Sequence, residues 1–392
     1  MNSRFLEALS LQTLLAPATE EDFHAHCWEK EPLVVHRNDP NYYGDLFTLE
    51  DFDHAMATDP PSLRTADAKS KRASTYEGST ATPALEDILA EMQNGTTLIL
   101  NRLNRREPKL GLLCRILSQE LGHVFSTNLY LTPSNGQGFT PHYDNHDVFI
   151  LQVLGFKHWK IEKKRRKWPD RGVNRMDDKE GREIQGEAHS FTLNQGDVIY
   201  IPRGFVHAAE CGSEPSLHIT LGLHPFTWSD LLQAIFMAAL RNDEQLTHAL
   251  LTGFLRGNGD DLVRGAMAAL NKISDEANLS AIVDQFKDEV VTKSSPDILG
   301  QVAGFFHSSQ LKSEDRVGPR PGIVYRLHPG EESLRLTFGR RHIQLPAFLK
   351  DSLDFALNTA DYAIRDIVGD LEDSEKIVFV ERLMREGMII RK

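Results

Sequence analysis

Two histidines and one aspartate have the residue types and the spacing of a metal site. His142 and Asp144 flank a single tyrosine, and His207 follows much later in the chain. Two imidazoles and one carboxylate can bind one face of an Fe(II) ion and leave its other face open, as in non-haem iron oxygenases. Manganese, nickel and zinc also accept these ligands, so the triad alone predicts a metal and not its identity.

The surrounding sequence places all three residues at the ends of strands. Side chains at alternate positions share a face in extended backbone, so we expect His142 and Asp144 in an extended segment. An apolar strand and a Pro-Arg-Gly turn precede His207, which predicts a place at the mouth of a barrel. The alternative is three ordinary polar groups at strand ends, but the combination of both segments favours a metal.

Lys157 favours iron together with an acidic ligand. It shares one face of a short strand with Trp159 and Ile161, where an ammonium without a partner is costly, and a ligand carboxylate would compensate it. A second strand carries three polar side chains on one face that suit hydrogen bonds to a dicarboxylate: Asn128, Tyr130 and Thr132. Alternatively, Lys157 extends its ammonium to the surface and the polar face is solvated.

Short apolar runs with a period of two predict the scaffold around these residues. They are separated by turn residues and suggest a double-sheet jelly roll, with the strands Thr96–Asn101, Ser126–Thr132, Asp147–Leu154, Lys157–Ile161, Val198–Ile201 and Ser216–Leu221. Two polar stretches, Thr58–Thr82 and Lys163–Ala188, are predicted to be loops. The fold class is therefore α+β, with a double-stranded β-helix of the cupin type at its centre.

After Pro225 the pattern changes to that of helices. Apolar residues recur at helical spacing in Trp228–Leu240 and Leu262–Asn271. A stretch from Ser308 to about Gly322 is predicted to be a linker, and a hairpin (Ile323–Ile343) and two helices follow it, which suits a winged-helix domain. We predict three domains: residues 1–226 with the catalytic core at about 96–226, a helical region at 227–312, and a winged-helix-like domain at 313–392.

Composition limits the function classes. A net charge of −12 over 392 residues argues against a protein that mainly binds nucleic acid. The three cysteines are scattered, which excludes a disulfide framework and a thiolate zinc site and suits a reducing compartment. We expect no signal peptide and no membrane-spanning segment, and hence a cytoplasmic protein. From Arg316 to Lys392, 13 Lys and Arg face 12 Asp and Glu, so direct DNA binding is not expected.

A basic segment, Lys163-Lys-Arg-Arg-Lys167 with Arg171 and Arg175, allows two interpretations. Such runs are usually solvated loops, but this one could contact ribosomal RNA or an acidic partner. His146-Asp147, directly after the triad, allows two as well. It either faces the substrate or is simply the polar start of a strand, and the second interpretation is favoured.

Together these residues resemble the JmjC-domain ribosomal oxygenases, a family of 2-oxoglutarate-dependent protein hydroxylases. The similarity covers most of the chain. Besides the triad, the segments that carry it are Cys27-Trp-Glu-Lys-Glu-Pro-Leu33, Tyr130-Leu-Thr-Pro133, His207-Ala-Ala-Glu-Cys211, Thr227-Trp-Ser-Asp-Leu231 and Arg382-Leu-Met-Arg-Glu-Gly387.

The resemblance implies a role for each site residue. His142, Asp144 and His207 would bind Fe(II). Lys157 would hold the distal carboxylate of 2-oxoglutarate, the cosubstrate that is consumed with O2. Three further residues would support that cosubstrate: Asn128, Tyr130 and Thr220. Gly222 stands where relatives can carry a small hydroxyl residue, which leaves Thr220 the weakest of these assignments.

The resemblance also implies the reaction and the partners. The protein would hydroxylate an arginine or histidine side chain of a ribosomal protein, and its helical region would form a homodimer. Two alternatives remain open from the residues alone. One is the same chemistry on a non-ribosomal peptide or a small molecule, and the other is a cupin that binds a metal without catalysis.

Overall fold

The computed structural model describes residues 5–58, 63–68, 72–76, 85–166, 168–169, 183–250, 252, 254–256, 259–274, 276–293 and 299–392. The chain forms two compact units. The first comprises Met1–Pro225, Asp297–Phe306 and Arg320–Ile323, and the second comprises Phe226–Pro296, His307–Pro319 and Val324–Lys392. None of the helices within the described ranges is long and apolar enough to cross a membrane.

Two antiparallel sheets dominate the first unit. Their strands are β1 (Leu33–Val35), β2 (Leu63–Asp67), β3 (Arg72–Tyr76), β4 (Thr97–Leu100), β5 (Val124–Thr132), β6 (Asp147–Leu154), β7 (Phe156–Glu162), β8 (Ala188–Asn194), β9 (Val198–Ile201), β10 (His207–Cys211) and β11 (Ser216–His224). The large sheet has the order β1-β9-β6-β11-β5-β4-β2-β3, and the small sheet has the order β10-β7-β8.

Apolar side chains cover the outer face of the large sheet and part of its inner face. On its outer face, odd-numbered residues of β5 and β11 such as Leu129 and Ile219 join a core with the N-terminal segments. The helices of this part of the chain are α1 (Leu11–Leu15), α2 (Glu20–Asp22), α3 (Leu49–Thr58), α4 (Leu85–Gln93) and α5 (Pro108–Leu121), and residues Phe23–Cys27 form one π-helical turn.

A second, smaller core lies between the two sheets. Val148 and Ile150 of β6 pack there with Trp159 and Ile161 of β7, and with residues of β8, β9 and the turn that follows β9. Two sheets packed face to face around such a core form the predicted double-stranded β-helix, so the cupin-type fold class is confirmed.

The second unit combines helices with two small sheets. Its helices are α6 (Trp228–Asn242), α7 (Asp260–Ile273), α8 (Glu276–Lys293), α10 (Lys350–Asn358) and α11 (Asp373–Arg385), while α9 spans Gln301–His307. Its strands are β12 (Arg316–Pro319), β13 (Tyr325–Pro329), β14 (Ser333–Phe338), β15 (Arg341–Pro346), β16 (Tyr362–Ala363) and β17 (Ile389–Arg391). The sheet orders are β16-β12-β17 and β13-β14-β15.

Two predictions about irregular segments were wrong. The predicted loop Thr58–Thr82 contains β2 and β3, and β2 also pairs with β4 of the main sheet. The predicted linker Ser308–Gly322 contains β12, the central strand of its sheet. Both segments are rich in Ser, Thr, Arg, Gly or Pro, a composition that predicts a loop. Part of each is nevertheless a strand, because pairing with neighbouring strands overrides composition. The predicted hairpin Ile323–Ile343 is a three-stranded sheet that ends at Pro346.

The basic segment is described only in part, since Lys167, Arg171 and Arg175 lie outside the described residues. The ammonium of Lys163 lies 2.8 Å from a carboxylate oxygen of Glu187, and Arg166 pairs with Glu162. The guanidinium of Arg165 lies 3.4 Å from the ring centre of Trp168. These described cations have partners within the chain, and a role in RNA binding stays a prediction.

Candidate metal and dicarboxylate site

The three predicted metal ligands lie together. One ligand atom from each of His142, Asp144 and His207 lies within 4.8 Å of the others. Asp144 and His207 are buried, with exposures of 7% and 4%, while His142 is half-buried. A carboxylate and two imidazoles gathered at this distance have the donor set of the facial triad, so these residues fit an Fe(II) ion.

Backbone hydrogen bonds bring two of the ligands together from distant parts of the chain. The amide of His142 donates to the carbonyl of His207 over 3.1 Å, and the amide of His207 donates back over 2.8 Å. Gly204, in the turn after β9, donates its amide to the carbonyl of Asp144 over 3.1 Å. His142 therefore reaches the site through an isolated β-bridge to His207.

Each imidazole is oriented by a backbone carbonyl. Nδ1 of His142 lies 2.9 Å from the carbonyl oxygen of Thr140, and Nδ1 of His207 lies 3.0 Å from that of Phe205. Because a carbonyl only accepts, each Nδ1 carries the proton and donates it. The lone pair of each Nε2 is then available to a metal, as is usual for metal-binding histidines.

Lys157 points into the space between the sheets, as the alternation on β7 predicts. Its side chain is only 5% exposed, and burial lowers the pKa of the ammonium to about 8. Its Nζ donates to Oγ1 of Thr132 over 2.8 Å and lies 3.3 Å from Nδ1 of His218. Among the described residues no carboxylate forms an ion pair with it, so its charge has no protein counterion there.

Further buried polar groups lie in this part of the fold. His218 is stacked on Tyr130, with ring centres 4.8 Å apart, and burial and the neighbouring Lys157 hold the pKa of His218 well below its usual range. The indole nitrogen of Trp159 and Oε1 of Gln152 are buried and have no hydrogen-bond partner within the described part of the chain. A buried cation and an indole N–H donor without a partner there suit a small, polar, negatively charged molecule.

The register of the small sheet gives the spacing between the two halves of the site. His207 lies opposite Ile161, and Cys211 lies opposite Lys157. Lys157 is therefore four positions along the ladder from the metal ligand, about 13 Å of backbone. Trp159 lies between them, with its ring centre 6.1 Å from those of both His207 and His218. This spacing suits a short diacid that reaches both the metal and the ammonium.

The remaining predicted residues lie on the same inner face. Asn128 and Thr220 are directly opposite each other in the β5–β11 ladder. They lie two residues along each strand from the pair formed by Tyr130 and His218. The Asn128 carboxamide oxygen accepts a hydrogen bond from the amide of Arg102 at 3.0 Å, so this residue also holds the loop after β4. Within the described residues, Lys157 forms no hydrogen bond with Asn128 or with Thr220.

Asp147 has a structural role. Its buried carboxylate accepts a hydrogen bond from the hydroxyl of Tyr200 at 2.8 Å and from the amide of Arg203 at 3.0 Å. These bonds attach the start of β6 to the turn that precedes His207. The favoured interpretation, a polar start of a strand, is therefore confirmed for Asp147.

The sequence interpretation missed His218 and the polar roles of Trp159 and Gln152. A signal was present for His218, because Ser216, His218 and Thr220 alternate with apolar residues along β11 just as the polar residues of β5 do. Two neighbouring strands with the same polar alternation place both polar rows on one face of a sheet. No comparable signal exists for Gln152, which stands in an otherwise apolar strand.

Comparisons with known proteins agree with this geometry. Residues 101–231 match the family model of the JmjC domain. Ribosomal oxygenase 1 of Gallus gallus is 30% identical over 322 residues, which are 76% of this chain and 53% of that protein. A Culex quinquefasciatus protein, named bifunctional lysine-specific demethylase and histidyl-hydroxylase NO66, is 27% identical over 97% of this chain and 66% of its own length. The chain spans about half the length of the first curated relatives that it matches.

Solved structures show the same fold. The X-ray structure of ycfD from Escherichia coli has a TM-score of 0.62 and 16% identity, over 96% of this chain and 98% of that one. A structure of YcfD, described as a ribosomal oxygenase, in complex with cobalt and 2-oxoglutarate has a TM-score of 0.58 and 16% identity, over 96% and 99%. Residues 101–231 therefore form a JmjC domain on a cupin-type fold. The predicted similarity of the chain to the ribosomal oxygenases is confirmed.

Proposed function

We propose that this protein is an Fe(II)- and 2-oxoglutarate-dependent dioxygenase that hydroxylates an arginine or histidine side chain of a ribosomal protein. The observation that carries the proposal is the presence, in the space between the same two sheets, of a metal triad and a buried ammonium that has no counterion among the described residues. The names of the similar proteins support the ribosomal part of the proposal.

Each residue of the site has a proposed task. His142, Asp144 and His207 hold Fe(II). Lys157 binds the distal carboxylate of 2-oxoglutarate, and five residues around it support the cosubstrate: Asn128, Tyr130, Thr132, His218 and Thr220. When bound, iron and 2-oxoglutarate activate O2 for insertion of one oxygen atom into a C–H bond, with succinate and carbon dioxide as coproducts.

The chain itself orients these groups and excludes water. Carbonyls of Thr140 and Phe205 keep both histidines in the tautomer that binds a metal. The apolar core between the sheets, with Trp159, Ile161 and Val148, borders the site and keeps it dry. A dry site strengthens the ion pair with Lys157 and protects a reactive oxidant from solvent.

Mass spectrometry of ribosomal proteins from cells with and without this gene tests the substrate. One ribosomal protein should be heavier by a single oxygen atom only when the gene is present, and fragmentation should place that atom on an arginine or histidine. If every ribosomal protein has the same mass in both strains while the purified protein still converts 2-oxoglutarate to succinate, a non-ribosomal peptide or small molecule is the acceptor.

The pKa of Lys157 gives the reaction a pH dependence. Below about 8 the group is an ammonium and attracts a carboxylate, and above about 8 it loses its charge. The apparent KM for 2-oxoglutarate should therefore stay flat up to about pH 8 and rise above it by up to about tenfold for each pH unit. Burial raises the pKa of the neighbouring Cys211 thiol and lowers that of His218, in both cases away from the pKa of Lys157.

Initial rates at several 2-oxoglutarate concentrations between pH 7 and 9.5 measure this dependence. Lys157→Ala serves as the control, and its KM should be high and independent of pH over the same range. A rise of the same size in that variant would assign the pH dependence to another group.

We further propose that residues 227–312 form a homodimer. On α6, Trp228, Leu232 and Phe236 follow one another at helical spacing and are each at least half exposed. On α7, a second apolar row is exposed to a similar degree: Val263, Met267 and Leu270. Rows of large apolar side chains of this kind are typical of interfaces between proteins.

Charge on one of these rows should dissociate the dimer. The double change Leu232→Glu and Phe236→Glu should lower the mass in light scattering from twice 44.2 kDa to 44.2 kDa, because buried carboxylates without partners oppose association. Val378→Glu, at a 64% exposed apolar position of α11, is the matched control and should remain dimeric. A monomeric parent protein would contradict the proposal.

We propose that residues 313–392 form a winged-helix-like domain. Its role is packing or substrate docking rather than DNA binding. The sheet β13-β14-β15 with α10 and α11 supports the first part, and 13 basic against 12 acidic residues from Arg316 to Lys392 support the second. We also infer a cytoplasmic location, supported by the free thiols of Cys27, Cys114 and Cys211.

A further inference from the structure

A second pair of histidines lies at the end of the large sheet away from Lys157. The rings of His146 and His224 are stacked with centres 4.6 Å apart and planes 25° apart. Nε2 of His224 lies 3.0 Å from the hydroxyl of Ser126, and Nδ1 of His146 lies 3.1 Å from Oδ1 of Asn145. Neither imidazole has a task in binding the metal or the cosubstrate.

Register places this pair on the inner face of the sheet. Along β11, His218, Thr220, Gly222 and His224 lie on one face, because alternate residues of a strand do. His218 contacts Lys157, so His224 lies six residues away from the proposed carboxylate end of the site. His146 follows the metal ligand Asp144 by two residues. The pair therefore lies on the metal side of the inner face.

Gly222 gives His146 its position. This glycine of β11 lies opposite Ser126 of β5 and Val148 of β6. A Cβ atom on residue 222 would lie 3.0 Å from Cδ2 and 3.0 Å from Nε2 of His146, closer than such atoms ordinarily approach. The imidazole of His146 thus occupies the space that a side chain at 222 would take.

We propose that His146, seated over Gly222 and stacked on His224, is a positioning residue for the amino-acid side chain that receives the oxygen. This inference rests on the proposed function. The cosubstrate is assigned to the Lys157 end, so the target side chain must approach the metal from another direction, and His146 follows the carboxylate ligand Asp144 by two residues. The imidazole edge sets how far a planar arginine or histidine side chain enters.

A substitution at His146 or Gly222 should uncouple the formation of two products, succinate and the hydroxylated target, which form together when the target is well positioned. When the target is misplaced, 2-oxoglutarate is still consumed but less of the oxygen reaches the target. The informative quantity is therefore the ratio of hydroxylated ribosomal protein to succinate. A residue that only stabilises the fold would lower both products equally and leave this ratio unchanged.

Ribosomes purified from cells that lack the gene are the probe for this measurement. With His146→Ala the ratio should fall by at least about fivefold, since small misplacements of a target are costly. Gly222→Ala should have a similar effect, because the added methyl displaces the imidazole. His158→Ala is the matched control, since that imidazole lies on the outer face of β7 and bonds to Thr192, and its ratio should equal that of the parent.

The double variant His146→Ala with Gly222→Ala shows whether both changes act through one contact. Its ratio should be no lower than that of His146→Ala alone, because the displaced ring is already absent. Independent losses that multiply in the double variant, or an unchanged ratio in His146→Ala, would overturn the proposal. Thermal melting confirms that each variant is folded. A parent protein that forms no succinate contradicts the proposed function itself, and this inference with it.

Discussion

Replacement of His142 or of Asp144 by alanine is expected to abolish 2-oxoglutarate turnover, with a loss of more than about a hundredfold. Mutation of groups that only orient metal ligands already costs about tenfold to a hundredfold in activity or affinity, so removal of a ligand should cost more. Asp144 also supplies the one negative charge of the triad. The measurement is succinate formation at saturating Fe(II) and 2-oxoglutarate, together with a titration of Fe(II) or Mn(II) binding.

The histidine on the outer face of β7 provides the control. His158→Ala removes an imidazole of the same size, which bonds to Thr192 rather than to the site, and should keep full turnover and metal affinity. The melting temperature of each variant distinguishes a lost ligand from a lost fold. Turnover that persists after both ligand changes would contradict the assignment of the metal.

Removal of the buried ammonium should have the second large effect. Lys157→Ala is expected to raise the apparent KM for 2-oxoglutarate by about tenfold to a hundredfold, since a hydrogen bond to a charged group contributes about 1.5–3 kcal/mol. The effect should fall mainly on KM, because the distal carboxylate is bound in the ground state and in the transition state alike. Initial rates over a wide range of 2-oxoglutarate concentration measure it.

The same strand offers a matched control for this change. Lys160 lies three residues further along β7 and projects to the exposed face, whereas Lys157 is buried. Lys160→Ala should leave KM unchanged. Equal values of KM for the parent and for Lys157→Ala would exclude this lysine as the carboxylate anchor and would leave its burial without an explanation.

The inward direction of Lys157 could be predicted because strand alternation is local. Three residues of one short strand were sufficient to place the ammonium with Trp159 and Ile161, and all three are buried. The metal triad was predictable for a similar reason, since two short segments carry it. In both cases neighbours along the chain determine where the side chain points.

Predictions that depend on distant pairing were less successful. The segment Arg316–Pro319 has the composition of a linker, yet β16 and β17 pair with it on both sides. The backbone bridge between His142 and His207 likewise depends on residues far apart in the chain. His218 could have been found by a comparison of the polar rows on β5 and β11, but only with the knowledge that these strands are neighbours.

The bridge between His142 and His207 has a consequence for how proteins of this kind can diverge. The connection between β7 and β8, residues 163–187, lies between the two histidines in the chain. Two backbone hydrogen bonds hold His142 and His207 together, so the length of that connection does not set the distance between the two ligands. Insertions and deletions there can accumulate at little cost to the metal geometry, since loop closure depends only weakly on length.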